Sequence, residues 1–389
     1  LGIAQTGTGK TAAFALPILH NLAKVEVNNK SRNPRSLVLA PTRELAIQIS
    51  EEFRLYSKYM HLRHTVVFGG VSQKSQVTAL NRGIDVLVAT PGRLLDLMQQ
   101  RIVKLGNVKI LVLDEADRML DMGFVRDVRK IIAALPQERQ SLLFSATMPG
   151  EVGKLSSDLL YKPVRVEVTP QATPVERIKQ CVYHVSSSDK RKLLENILSN
   201  PEFKRVIAFS RTKHRANRIA MQLTKAGIVA DAIHGNKSQG ARQRALKRFR
   251  TGEIQVLVAT DIAARGIDVD GITHVINYEL PNEPESYVHR IGRTARAGAN
   301  GAAISFCDGT ERIYLRDIEK LIGNKLSVIG DEPLGDPVKP ESRSHKNRGG
   351  VGKRSKKTRS RSGRGVGHRK GQPNPNRNGN RSSQSRKAA

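Results

Sequence analysis

Residues 110–117 read Ile-Leu-Val-Leu-Asp-Glu-Ala-Asp. Four consecutive apolar residues without alternation describe a short strand buried on both faces, as in a parallel sheet covered by helices. The acids that follow stand at the C-terminal end of that strand, the edge at which open α/β sheets bind ligands. A cluster of this kind is equally the ordinary solvated start of a helix, and position alone does not separate the two readings.

The same grammar repeats on either side. Short apolar runs at 36–40, 65–68, 85–89, 110–113, 142–144 and 164–168 alternate with stretches of helical composition. A second series follows at 180–185, 206–209, 230–233, 256–259, 274–277 and 302–306. Between the series, Thr-Pro-Gln-Ala-Thr-Pro at 169–174 carries two prolines and no periodicity, so it reads as a linker. The expected organisation is two α/β domains of parallel-sheet design, 1–168 and 179–330, joined by a linker at 169–178. A length of 389 residues suits two cores better than one domain of about 100–200 residues.

Charge narrows the function. Lys and Arg number 66 against 35 Asp and Glu, a net of +31, which implies a polyanionic partner, nucleic acid before an acidic membrane surface. Residues 339–389 carry 17 of those cations against the single acid Glu341, with Gly and Ser between them and no aromatic residue. The segment 331–389 is therefore expected to be a disordered basic tail. No run of 18 apolar residues and no secretory leader is seen, so the expectation is a soluble, intracellular, cytoplasmic protein without a membrane partner. Cys181 and Cys307 are too few for a disulfide framework or a cysteine zinc site. The chain opens on Leu1 three residues before its first motif, which reads as a fragment lacking its true start.

That motif is Ala4-Gln5-Thr6-Gly7-Thr8-Gly9-Lys10-Thr11, a phosphate loop G-x-x-x-x-G-K-T in which Ala4 replaces the first glycine. Gly7 and Gly9 let backbone N–H groups wrap phosphate oxygens, Thr11 begins a helix whose positive end faces the anion, and Lys10 reaches the outer phosphates. The plainer alternative is a glycine-rich turn before a helix. Paired with this loop, the acids gain a role: Asp114 holds Mg²⁺ through water together with Thr11, and Glu115 takes a proton from the attacking water.

From Ala4 to about Gly330 the chain resembles a DEAD-box RNA helicase, motif by motif and in order. The matching segments of the first half are 4–11, Pro41-Thr42-Arg43-Glu44-Leu45, Gly69-Gly70, Thr90-Pro91-Gly92-Arg93, 114–117 and Ser145-Ala146-Thr147. In the second half they are Phe209-Ser210-Arg211, Gln239 to Arg242, Ala259-Thr260-Asp261 through Asp268, and His289 to Arg296. Phe68 to Ser72 and the basic tail look most like the bacterial RhlE-type subgroup.

The resemblance implies two RecA-like domains in tandem that bind ATP and Mg²⁺ between them. It implies local unwinding of short RNA duplexes coupled to ATP hydrolysis. By the family pattern Lys10, Glu115, Arg293 and Arg296 are catalytic, the two arginines reaching the γ-phosphate on closure. Ala4 to Thr11 and Asp268 bind ATP, and Ser145, Ala146 and Thr147 couple nucleotide state to closure, although they can also be a simple helix cap. Single-stranded RNA runs over Pro41, Thr42, Arg43, Gly69, Gly70, Thr90, Pro91, Gly92 and Arg93, then Arg211, Gln239, Arg242 and Thr260. Turn formation at Pro91-Gly92 and helix flanking at Arg43 are the structural alternatives.

Arg290, Arg293 and Arg296 are expected along one side of a helical turn, or else on a solvated basic helix. The family's glutamine-centred adenine segment lies upstream of the phosphate loop, where this sequence has not begun, so these residues leave adenine preference open. RNA, single-stranded or in short duplexes, is the implied partner, with ribosome-assembly or RNA-decay proteins as the protein class. Two other readings remain: an RNA clamp or chaperone in which binding is the main activity, and a DNA-directed motor, which the DEAD tetrad disfavours.

Overall fold

Strand 110–113 sends Leu111 and Leu113 to one face and Ile110 and Val112 to the other. Both sets are buried, the first with Leu37, Leu39 and Leu143, the second with Val38, Phe14 and Phe53. A sheet apolar on both faces must be covered by helices on both. The computed structural model describes residues 1–4, 8–25, 33–168, 178–264, 267, 269, 271–295 and 301–330.

The first half is one seven-stranded parallel sheet. In spatial order it runs β3 (His64–Val67), β4 (Val86–Ala89), β2 (Ser36–Leu39), β5 (Ile110–Leu113), β6 (Gln140–Ser145), β1 (Gly2–Ile3) and β7 (Val166–Glu167). Register pairs Leu39 with Leu113, Leu113 with Leu143, and Ile3 with Ser145. Three neighbouring strands, β5, β6 and β1, thus end side by side where the acids, the Ser-Ala-Thr segment and the phosphate loop begin.

The second half repeats the order seven strands later: β10 (Ala230–Ile233), β11 (Val256–Ala259), β9 (Val206–Phe209), β12 (His274–Asn277), β13 (Gly301–Cys307), β8 (Ile178–His184) and β14 (Ser327–Val328). Its faces are sorted the same way, Val206 and Ala208 packing on one side and Ile207 and Phe209 on the other. Two sheets of identical strand order in one chain are tandem RecA-like α/β domains.

Several expectations need correction. Ile178, assigned to the linker, is the first residue of β8 and is buried opposite Gly301. The run 164–168 shrinks to Val166–Glu167, an exposed pair at the sheet edge. The two-residue strands β1 and β14 carried too short a pattern to be anticipated. The linker core 169–177 and the tail 331–389 lie outside the described residues. Among the described residues no helix is long and apolar enough to cross a membrane.

Leu111 is fully buried at the centre of the first sheet. Leu111→Ala should remove about 2–5 kcal/mol from that half. The expected result is a lower urea midpoint for the first half's transition with the second half's left in place.

Candidate nucleotide and RNA site

The phosphate loop ends at Gly9, whose φ of 86° is a left-handed conformation that glycine adopts without strain. The helix Lys10–Lys24 follows with no side-chain cap, so its first N–H groups remain available to an anion. Ala4 stays out of the left-handed region and donates its N–H to Ser145 O at 3.0 Å, so the missing glycine costs this backbone nothing. Lys10 Nζ donates to Ala4 O at 2.6 Å, folding the lysine across the loop. Gln5, Thr6 and Gly7 lie outside the described residues.

Asp114 follows β5, 2% exposed, and its carboxylate accepts the Glu115 N–H at 3.0 Å. Burial first, and then the adjacent Glu115, push its pKa up to about 7, against the opposing pull of Lys10 and Arg118. The under-compensated charge of Asp114, next to a second buried carboxylate, fits a divalent cation at this strand end. Among the described residues no group of three or more His, Cys, Asp and Glu side chains is gathered.

Glu115 has a φ of 53°, a conformation non-glycine residues avoid at a cost of about 1–2 kcal/mol. Its carboxylate pairs with Arg118 Nη1 at 2.6 Å. Asp117, which the sequence reading left without a role of its own, ties the tetrad to the next strand. It accepts the N–H groups of Ala146 and Thr147 and the Thr147 hydroxyl at 3.0–3.1 Å, while its own N–H donates to Ser145 Oγ. The cap alternative for Ser145 and Thr147 is not what is seen, because the following helix Gly150–Leu159 has no side-chain cap.

Gly9, Lys10, Thr11, Asp114 and Glu115 line a cleft of about 550 Å³ whose other wall carries Arg205, Arg250, Ile267 and Arg293 of the second half. Arg293 is 6% exposed and donates to Ile267 O at 2.9 Å and His289 O at 3.1 Å, which fixes its position in the cleft wall. Arg290 departs from expectation. It lies inside the Pro284–Ile291 helix, 1% exposed, bonded to both Asp261 oxygens, to Asn277 and to Glu279 O. It is a core residue, on neither a cationic stripe nor a solvated face, and Arg293 lies beyond the helix end. Asp268 and Arg296 lie outside the described residues.

The segments assigned to RNA fall into two groups. Thr42 caps the Arg43–Tyr56 helix by accepting the Leu45 N–H, so its side chain is already engaged. Pro41, two residues past β2, leads into it. Arg43 packs on Gly69 and Gly70; a Cβ on Gly70 would lie 2.1 Å from Arg43 Nη1, and Gly70 has a φ of 79°. Pro91 opens the Pro91–Gln99 helix after Thr90, while Gly92 faces open space and Arg93 donates to Gln76 and Val71 O. Burial and the nearby Arg242 lower the Arg43 pKa, with Arg93 adding to them and Glu44 opposing. Three arginines from three motifs are therefore gathered as one anion-attracting cluster.

Glu44, inside a quoted motif but unassigned, links the halves: its Oε1 accepts from Gln239 Nε2 at 3.0 Å and lies 3.0 Å from Arg242 Nε, an ion pair without hydrogen-bond alignment. Arg211 is engaged within the second half, by Glu279, Glu311 and Asn282. Thr260 is buried at the end of β11.

Comparison with known proteins accords with this geometry. Residues 1–155 match the DEAD/DEAH box helicase model and 189–298 the helicase conserved C-terminal domain. The chain is similar to the ATP-dependent RNA helicase RhlB of Pseudomonas aeruginosa, 46% identical over 89% of this chain and 88% of that one. It is also similar to the ATP-dependent RNA helicase CshA of Listeria monocytogenes, 43% identical over 88% of this chain, and it spans 64% of that protein's length. Among solved structures, S. cerevisiae Dbp5 bound to RNA and ADP BeF3 superposes with a TM-score of 0.71 at 32% identity, over 85% of this chain and 84% of that one. The chain belongs to the DEAD-box family of ATP-dependent RNA helicases.

Gly70→Ala should unseat Arg43 and strain the turn, weakening RNA about tenfold, or roughly 1.4 kcal/mol, with nucleotide affinity unchanged. Fluorescence anisotropy with a single-stranded RNA checks this; wild-type affinity would detach Arg43 from RNA binding.

Proposed function

We propose that this chain is an RNA-dependent ATPase that binds single-stranded RNA across both halves and parts short duplexes locally as the halves close on ATP. The observation that carries the reading is the shared cleft: Lys10, Asp114 and Glu115 on one wall face Arg293 on the other. Lys10 and Thr11 hold the phosphates, with the uncapped helix start completing the anion site. Asp114 and Thr11 would hold Mg²⁺ through water, and the ion would supply neutralisation of phosphate charge. Glu115 accepts the proton of the attacking water, and the pairing with Arg118 aims its carboxylate.

Arg293, with Arg296, supplies the cationic stabilisation that a finger residue provides in related phosphoryl transfers, about 10³–10⁵ in rate. Asp268 takes the ribose, and Ala4 to Gly9 enclose the phosphates. Asp117, Ser145, Ala146 and Thr147 connect the two strand ends, so a shift at one is felt at the other.

On the RNA side, Arg43, Arg93 and Arg242 hold phosphates, while Gly69, Gly70, Thr90, Pro91 and Gly92 admit the backbone closely. Pro41, Thr42, Arg211, Gln239 and Thr260 complete the path. We assign domain boundaries at 1–168 and 179–330, with Ile178 joining the second. The RhlE-type subgroup rests on residues 68–72 and the basic tail, a cytoplasmic location on the family's RNA role, and partners in ribosome assembly or RNA decay on the same ground. Steady-state ATPase with and without single-stranded RNA, alongside separation of a short duplex, tests the reading. RNA-independent turnover without strand separation would favour an RNA clamp.

Glu115→Gln should leave nucleotide and RNA binding intact and lower turnover at least a hundredfold, the scale of general base catalysis. Turnover near wild type would remove Glu115 from that role. Arg293→Ala should lower the single-turnover rate about 10³-fold while nucleotide affinity in the absence of RNA falls little. Equal losses in titration and in rate would mean that Arg293 grips the nucleotide before closure.

A further inference from the structure

The Lys213–Lys225 helix carries Arg215, Arg218 and Gln222 at spacings of three and four, which place them on one side. Across a cleft of about 290 Å³ they meet Ser187, Ser188 and Arg191 at the start of the Lys190–Leu198 helix, with the largely buried Tyr278 between. Every polar side chain of this lining can donate a hydrogen bond, three are guanidinium groups, and among the described residues no acid lines it.

Arg215 is paired with Glu279, but the other two cations are weakly compensated. Among the described residues Arg191 has only Glu195 at 3.8 Å, and Arg218 has no ion pair or hydrogen bond. Arg191 and Arg218 are exposed, so their donors can turn to an anion entering the cleft, and forked guanidinium donors beside hydroxyls suit phosphate oxygens.

The cleft is continuous with the proposed RNA path. Glu279 Oε1 is shared by Arg211, whose Nε is 3.4 Å away, and by Arg215, so one carboxylate spaces an assigned RNA residue from the first arginine of the cleft. Glu279 is 2% exposed, and the N–H of Arg211 and the hydroxyl of Ser210 also donate to it, so this spacing is fixed. Resting on that reading of the RNA path, we propose that the cleft of Arg191, Arg215 and Arg218 extends it, taking one or two phosphodiesters of a strand that continues past Arg211. The contact is to backbone, so it adds affinity with strand length and carries no base preference.

The test is the full chain carrying R191E/R218E, and separately R191Q/R218Q, with Arg215 retained because it braces Glu279. A long single-stranded RNA should bind about tenfold more weakly to the first variant. In both, the slope of log affinity against log salt should flatten by about 0.7 per lost phosphate contact. A short strand confined to the central path should bind as in wild type, and the RNA-saturated ATPase rate should not change. Wild-type affinity and salt slope for the long strand would overturn the proposal, as would equal losses for both lengths. Absence of RNA-stimulated ATPase in the unsubstituted chain would instead sink the helicase reading, while the length comparison would still judge the cleft.

Discussion

Two consecutive carboxylates, Asp114 and Glu115, are buried at the end of one strand, and the rest of the site is organised around that electrostatic problem. Neither can shed its charge into solvent. The protein answers with Lys10 and Arg118 nearby and with a strained backbone at Glu115 that turns its side chain toward Arg118. The remaining imbalance, which holds Asp114 near 7, is what a divalent cation and its phosphates would remove. A fold that leaves such a debt unpaid at one place is specifying its ligand there.

The sheet order makes this possible. The phosphate loop at 4–11, the acids at 114–117 and the Ser-Ala-Thr segment at 145–147 are far apart in sequence, yet they follow β1, β5 and β6, which are neighbours. Asp117 then stitches two of those strand ends together through three accepted hydrogen bonds and one donated. Four bonds across adjacent strands form a stiffer joint than either loop would supply alone.

Legibility followed the length and purity of each signal. Runs such as 110–113 and 256–259 are apolar on both faces and bounded by acids or polar residues, so their limits could be read directly. Strands β1 and β14, two residues each, carry no period at all and exist through pairing with β6 and β8. The motifs pointed to Lys10, Asp114, Glu115 and Arg293, which line one cleft, because local spacing is what a motif records. Arg290 was misplaced for the converse reason: a cation at helical spacing is normally solvated, and its burial is made tolerable by partners remote in sequence, Asp261, Asn277 and Glu279 O. Glu44 was hidden because its partners, Gln239 and Arg242, are nearly two hundred residues away.

The Arg43–Tyr56 helix brings these threads to one element. Its first turn presents Arg43 to the arginine cluster and Glu44 to the second half, whereas Gln48, Glu51, Glu52 and Tyr56 further along line the nucleotide cleft. A helix is stiff over this length, so a tilt imposed at one end moves the other. Any closure that seats Gln239 and Arg242 on Glu44 also sets the cleft wall against the phosphate loop. If RNA and nucleotide each favour that seating, each must strengthen the other's binding by the same factor, because the two share one equilibrium. The coupling then needs no chain of intermediates across the protein, only a single rigid helix bordering both sites and an interface that is either made or broken.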